Sequence, residues 1–267
     1  MKERVEGKEN PREIERLEEA HISVFGQGHF GRPLTERLKQ ISPPTLRVDA
    51  VGGAKGAERD MLNIDAARRS KLLILATRPD QVAPTLRGVR DYVQIEAQVL
   101  SFAANTSSER NLSTEMLARA SGRPAARGMA DTHFNISAFV LGEKFSTRGY
   151  EFIFEKLSRL KPLVLKNDAA LDRYSIMLSH LLVALLMERA GEIRSAEPHA
   201  HFLSAQKEFP YDLKDLLSFS LSDDAEGSLK EVATPGGISE RFRNALLKKP
   251  DMKPADLLLM VAESLKH

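Results

Sequence analysis

Six residues, Gly26-Gln27-Gly28-His29-Phe30-Gly31, carry the sharpest chemical signal in the sequence. They follow a short apolar run, His21–Phe25, and lead into a segment, 34–41, with helical spacing. In a strand–turn–helix frame each glycine has a separate role. Gly26 permits the tight turn, Gly28 lets the backbone approach a pyrophosphate, and Gly31 lets helix and strand pack closely. The helix start then offers backbone N–H groups to the phosphates. Gln27, His29 and Phe30 stand between the glycines and are expected beside the dinucleotide too. Cofactor choice is read where the second strand, Leu46–Val51, runs into Gly52-Gly53-Ala54-Lys55. No acid stands at that tip to bind a ribose 2′-hydroxyl, whereas Lys55 and Arg59 suit a 2′-phosphate, so NADPH is expected. Asp49 keeps NADH open, because a strand ending earlier would make it the ribose ligand.

A second signal is Thr234-Pro235-Gly236-Gly237-Ile238-Ser239, between two helical segments. Pro-Gly-Gly cannot continue a helix. It exposes amides at the start of the next helix, a seat for a small carboxylate, and Ser239 adds a hydroxyl. A plain helix–helix connector has the same composition. His180 lies in an apolar helical run, where it is either a packed, hydrogen-bonded residue or, by its pKa class, a proton donor. His199 and His201 would share a metal only on a strand, and no third ligand accompanies them, so no metal is expected.

The elements that must position these residues alternate. After His21–Phe25 and Leu46–Val51, strands are expected at 71–76, 97–103, 125–129 and 136–141. Helical segments lie between them, including 109–120 with Ser107 or Ser108 as N-cap. That alternation predicts βαβ units and a mainly parallel sheet. Beyond it the pattern turns helical, with 161–165 a brief extended link, one long helix over 169–193, a loop at 198–204 and four closing helices. A charged arm, 1–20, thus precedes an α/β Rossmann dinucleotide-binding domain, 21–145, and an all-α substrate and dimerisation domain, 146–267. The long helix is apolar on most sides, which points to burial, often between subunits.

Composition excludes several classes. The 267 residues contain no cysteine, which removes disulfides, thiolate metal sites and cysteine nucleophiles. Lys and Arg number 39 against 37 Asp and Glu, a balance that gives no bulk reason to bind nucleic acid. The N-terminal stretch lacks the apolar core of a signal peptide, the run 176–187 is too short to be read as a membrane span, and the expected setting is the cytoplasm.

From His21 onward, almost the whole chain resembles the pyrroline-5-carboxylate reductase family. Ala76-Thr77-Arg78-Pro79 stands where that family has Ala-Val-Lys-Pro. Ser101-Phe102-Ala103-Ala104 matches Ser-Ile-Ala-Ala, with Asn105 in place of the following glycine. Arg127-Gly128-Met129-Ala130-Asp131-Thr132 is similar to Arg-x-Met-Pro-Asn-Thr. Leu229–Ser239 is close to Leu-Lys-x-x-Val-x-Ser-Pro-Gly-Gly-x-Thr. The resemblance implies hydride transfer from nicotinamide C4 to the C=N carbon of a cyclic imine, 1-pyrroline-5-carboxylate to proline, in a homodimer or larger homo-oligomer. Ala76, Thr77, Arg78 and Pro79 would then line the nicotinamide pocket, with Ala104 and Asn105 at the neighbouring strand tip. Thr234, Pro235, Gly236, Gly237 and Ile238 would hold substrate, and Ser239, at the family's threonine, the ring nitrogen.

The chain departs from the family in the long helix. Met177-Leu178-Ser179-His180 replaces Ser-Gly-Ser-Gly-Pro-Ala-Tyr, which puts Ser179 and His180 nearest the substrate, His180 as candidate acid. Asp131 replaces an asparagine and His133 a proline. Two alternatives follow: a paralogue acting on another small imine or acid, or a non-catalytic dinucleotide-binding protein. A 3-hydroxy acid dehydrogenase on this scaffold would present a lysine on the interdomain helix, and 169–191 contains none.

Overall fold

The structure, a computed structural model, describes residues 21–264 except 54, 105–111, 208 and 233–236. The charged arm, the expected caps Ser107 and Ser108, and Asn105, Thr234, Pro235 and Gly236 lie outside the described residues.

Seven strands form one sheet in the order β2-β1-β3-β4-β5-β6-β7. They are β1 (His21–Phe25), β2 (Arg47–Val51), β3 (Ser70–Leu75), β4 (Gln98–Ser101), β5 (Ala125–Ala130), β6 (Ser137–Leu141) and β7 (Leu163–Val164). Pairing is parallel from β2 through β5, antiparallel between β5 and β6, and parallel again between β6 and β7. The sheet is α/β and Rossmann-like, as the alternation requires. The sequence reading stopped it at Leu141. The brief extended link instead supplies β7, whose two residues are too few for any periodicity to reveal.

Both faces of a parallel sheet must be covered, so its strands read as near-continuous apolar runs. On one face Ile22, Val24, Leu72, Ile74 and Leu100 pack against α1 (Gly31–Ile41) and Phe152–Phe154 of a short helix after β6. On the other, Phe25, Leu73, Leu75 and Val99 meet α2 (Gly56–Arg69), α3 (Pro79–Val89) and α4 (Thr114–Ser121). Helix α4 starts later than expected, because Ser113 is the N-cap and accepts a 3.0 Å bond from Met116 N–H. The short helix is α5 (Glu151–Lys156).

The remaining helices are α6 (Asp168–Arg189), α7 (Glu197–Ser204), α8 (Leu213–Leu217), α9 (Ala225–Val232), α10 (Ile238–Lys248) and α11 (Pro254–Ser264). Helix α7 replaces the expected loop. Its proline sits in the first turn, where the missing N–H costs nothing. Helix α6 has 22 residues and by length and composition would cross a membrane, yet its apolar side chains are packed inside the fold. They meet Ile136 just before β6, Ala138 and Val140 of β6, Leu229 of α9, Phe242 and Leu246 of α10, and Leu257 of α11. The chain's own elements therefore cover most of this helix's apolar surface.

His180 belongs to this core. Its side chain is fully buried, stacked on Phe242 at 4.8 Å, and its Nε2 is 2.8 Å from Nδ1 of His199. Burial pushes its pKa down from 6.5 to about 3, with the neighbouring His199 adding to the shift, and burial lowers His199 too. His180 is neutral in the fold down to about pH 3, whereas the unfolded chain protonates such a ring near pH 6.5. The unfolded state therefore binds more protons below that pH, and stability falls as pH falls towards 3. Between pH 7 and 5, His180 is expected to remove roughly 2 kcal/mol. Urea unfolding midpoints should drop over this range in the native chain and drop less in the His180→Leu/His199→Leu double variant.

Candidate active site

The order of the sheet reverses at β1, whose neighbours are β2 and β3. In open α/β sheets the crevice beyond the carboxyl ends of strands at such a switch point is where ligands bind. Here the strand ends are tied together: Gly26 N–H donates to Val51 O at 2.9 Å, Ala76 N–H to Phe25 O at 2.8 Å and Phe102 N–H to Leu75 O at 2.9 Å.

The glycine turn occupies this switch point, and its three glycines face different surroundings. Gly26 has φ +93°, and a Cβ there would lie 2.7 Å from Ala76 O. A Cβ on Gly31 would run into the carbonyl oxygen of Gly26. A Cβ on Gly28 would meet nothing within 4 Å, so hydrogen at this position leaves open space over the turn. Helix α1 begins here without a side-chain cap bond and without an acid in its first turn. Open space, a bare helix start and no negative charge fit a pyrophosphate. Gln27 folds back on the turn, donating to Val24 O and Thr35 Oγ1, each at 3.2 Å. His29 is exposed, and Phe30 turns the other way, into an aromatic contact with Phe102 at 5.3 Å and Phe134 at 5.9 Å.

Two cavities flank the turn, and Thr77 lines both. The larger, about 540 Å³, lies between the tip of β2 and α3 and includes Gly26, Gly52, Gly53, Arg59 and Asn63. Strand β2 runs to Val51, so Asp49 is mid-strand, paired with Arg47 at 2.9 Å and Arg69 at 3.4 Å, and is not at the ribose position. Arg59 faces this cavity beside Asp60, 3.7 Å away. Lys55, expected to do so, is the exposed residue that precedes α2 and does not line it.

The second cavity, about 270 Å³, opens between the sheet and the C-terminal helices. Ala76, Thr77, Pro79 and Ala104 supply one wall, with Phe30 and Phe102; Ser179, Gly237, Ile238 and Ser239 supply the other. Residues far apart in sequence, singled out for one reaction, thus share one cleft. Arg78 does not line it; it is exposed and paired with Asp80 at 3.1 Å. Nor does His180, since the next residue on a helix points about 100° away. The structure does not place it as the expected proton donor: the ring is buried against Phe242 and His199, away from the cleft, and burial holds its pKa down at about 3. The sequence reading missed Ser175, one turn before Ser179 on the same helical face, and Met129 at the end of β5. Helical spacing from Ser179 would have found the first.

The described lining contains hydroxyls and apolar groups but no ionisable side chain. Thr77 Oγ1 is buried, and among the described residues it has no hydrogen-bond partner. A buried hydroxyl without a partner costs about 1–3 kcal/mol, so one on a residue that lines both cavities fits a polar ligand. Asp131 is not in the cleft. Its carboxylate accepts from Ile136 N–H at 3.0 Å, Asn135 Nδ2 at 2.7 Å and His133 N–H at 3.2 Å, and burial raises its pKa.

No protein-family model matches the sequence, and no curated protein matches it. Solved structures share its fold. One is a Plasmodium falciparum pyrroline carboxylate reductase with NADP bound, with TM-score 0.52 and 13% identity over 93% of this chain and 98% of that one. Another is Mycobacterium tuberculosis 3-hydroxyisobutyrate dehydrogenase with L-serine, with TM-score 0.50 and 13% identity over 92% of each chain. The chain therefore shares the fold of these two enzymes, a Rossmann-like sheet followed by a helical C-terminal part.

The glycine surroundings give a paired prediction. Gly28→Ala should fold with an unchanged melting temperature in the absence of nucleotide but lose the stabilisation expected of the native chain when a nicotinamide dinucleotide is added. Gly31→Ala should lower the melting temperature itself, because the new methyl group displaces the backbone of the turn. Thermal melts with and without nucleotide separate the two.

Proposed function

We propose that the chain is an NADPH-dependent oxidoreductase acting on the C=N bond of a small cyclic imine, most closely 1-pyrroline-5-carboxylate to proline. The observation that carries this reading is the cleft between the sheet ends and helices α6 and α10, with hydroxyls and no ionisable group in its described lining. Such a cleft suits a reaction that needs positioning rather than a side-chain acid or base. A nicotinamide dinucleotide, when bound, would supply the hydride to the carbon of an imine already protonated by solvent, so that the C=N electron pair ends on the nitrogen of the product amine. The chain's own residues bind and orient. The turn at Gly26–Gly31 would hold the pyrophosphate, and Arg59 the 2′-phosphate that distinguishes NADPH. Ser239 Oγ would hold the ring nitrogen by a hydrogen bond. The amide of Gly237, at the uncapped start of α10, would receive a carboxylate. Phe30, Phe102 and Met129 keep water from the reacting carbon. Holding two reactants in line can contribute up to about 7–11 kcal/mol of the barrier, which makes positioning the main task of such a site.

A second reading, another small imine on the same machinery, is favoured by one observation. Helix α6 runs regularly through Ser175 and Ser179, where the family carries a Gly/Pro-broken segment, so the cleft floor has a different shape. A cytoplasmic setting and a homodimer or larger homo-oligomer belong to the proposal as the resemblance implies them.

NADPH oxidation against a panel of cyclic imines tests the reading. Turnover with 1-pyrroline-5-carboxylate supports the first form, turnover with another imine the second, and none with any imine overturns both. Ser239→Ala should lower kcat/KM by roughly tenfold or more, the scale of one lost hydrogen bond to a polar substrate. Arg59→Ser should weaken NADPH binding and leave NADH binding unchanged, as titration of each nucleotide would show.

A further inference from the structure

We infer that Arg127, which lies outside the cleft, is the positioning residue that fixes the rotation and height of α6 and so aims Ser175 and Ser179 into it. The inference rests on the cleft being the reaction site proposed above.

Arg127 is on β5 and only 1% exposed. One guanidinium nitrogen bonds Asp168 and the other Asp172, each at 2.9 Å, while Nε is buried with no partner among the described residues. Taking a guanidinium out of water is costly, and an apolar residue of similar volume would often pack such an interface as well or better. Stability alone therefore does not account for it. Direction does. The planar fork holds two carboxylates one helical turn apart, so it opposes both sliding and rotation of the helix along β5. Asp168 is held from a third side, because its Oδ2 accepts from Thr114 N–H at 3.1 Å and Thr114 Oγ1 at 3.0 Å, which ties in α4.

Helix α6 needs such a device. From His180 to Met187 every side chain but Leu182 is buried, on all sides of the helix, so in that half no single apolar stripe selects its rotation. Burial is non-directional. Asp168, Asp172, Ser175 and Ser179 follow the i, i+4, i+7, i+11 pattern of one helical face. A slip of one residue would turn that face by about 100° and move it by about 1.5 Å. On the strand side, Met129 shares the face of β5 with Arg127 and lines the cleft. The clamp and the cleft are thus successive parts of one strand–helix contact.

The test uses Arg127→Lys, whose ammonium is a point charge that serves one carboxylate at a time. The absence of cysteine allows nitroxide labels at Arg119→Cys on α4 and Arg173→Cys on α6, both exposed. In the full-length labelled chain, the lysine variant should show a broadened or shifted inter-label distance. In the unlabelled chain it should bind NADPH as the native chain does, while kcat/KM for the imine falls by roughly 100-fold, the cost of misplacement by about 1 Å. Asp172→Asn, a half-exposed change that keeps the Asp168 contact, should shift both readouts in the same direction by less. Unchanged distances with unchanged kcat/KM would overturn the inference, as would lost NADPH binding together with a collapsed melting temperature in both variants. Should the native chain turn over no imine, the proposed reaction fails while the distance measurement still reads the clamp.

Discussion

The site depends on one close backbone approach. Gly31 lies against the carbonyl oxygen of Gly26, with no room for a Cβ between them. That contact lets α1 start directly over the end of β1, at the point where the sheet order reverses. It also decides where Phe30 goes. Held at the helix start, its ring turns towards Phe102 and Phe134 and becomes a wall of the cleft. A constraint within six residues thus sets both the open space over Gly28 and one side of a cavity completed by helices more than a hundred residues later.

The distribution of ionisable groups follows a consistent logic. Charges near the sheet are paired: Asp49 with two arginines, Arg127 with two aspartates, Arg78 with Asp80. The buried histidines are neutral and serve packing in the C-terminal core. The described lining of the cleft between these regions holds only hydroxyl and apolar groups. A site of this kind gains little from acid–base chemistry and much from orientation, which is why the geometry of α6 and α10 matters more there than the pKa of any side chain.

Much of this was legible in the sequence, for physical reasons that also explain the failures. The glycine turn was readable because each glycine answers a steric demand, and Ser239 because it follows a helix-breaking run. Strand β2 announced itself by alternation, and most of the other strands up to β6 as short apolar stretches between turns. Strand β7, with two residues, has no period to read. Helix α7 was read as a loop, although its proline fits the first turn of a helix. Ser179 and His180 could not be told apart, since a helix that is apolar all round gives no periodic signal of which side faces what. Nor does local spacing announce the pairing of Arg127 with Asp168 and Asp172, 41 and 45 residues away. Sequence resemblance marked the arginine without assigning it a role.

The most direct measurement is a crystal structure of the chain with NADP⁺ and proline, the dead-end pair for the proposed reaction. The account predicts dinucleotide density along the turn at Gly26–Gly31, with its 2′-phosphate at Arg59, and proline density in the cleft within hydrogen-bond reach of Ser239. Proline bound elsewhere, or dinucleotide absent from the glycine turn, would contradict it.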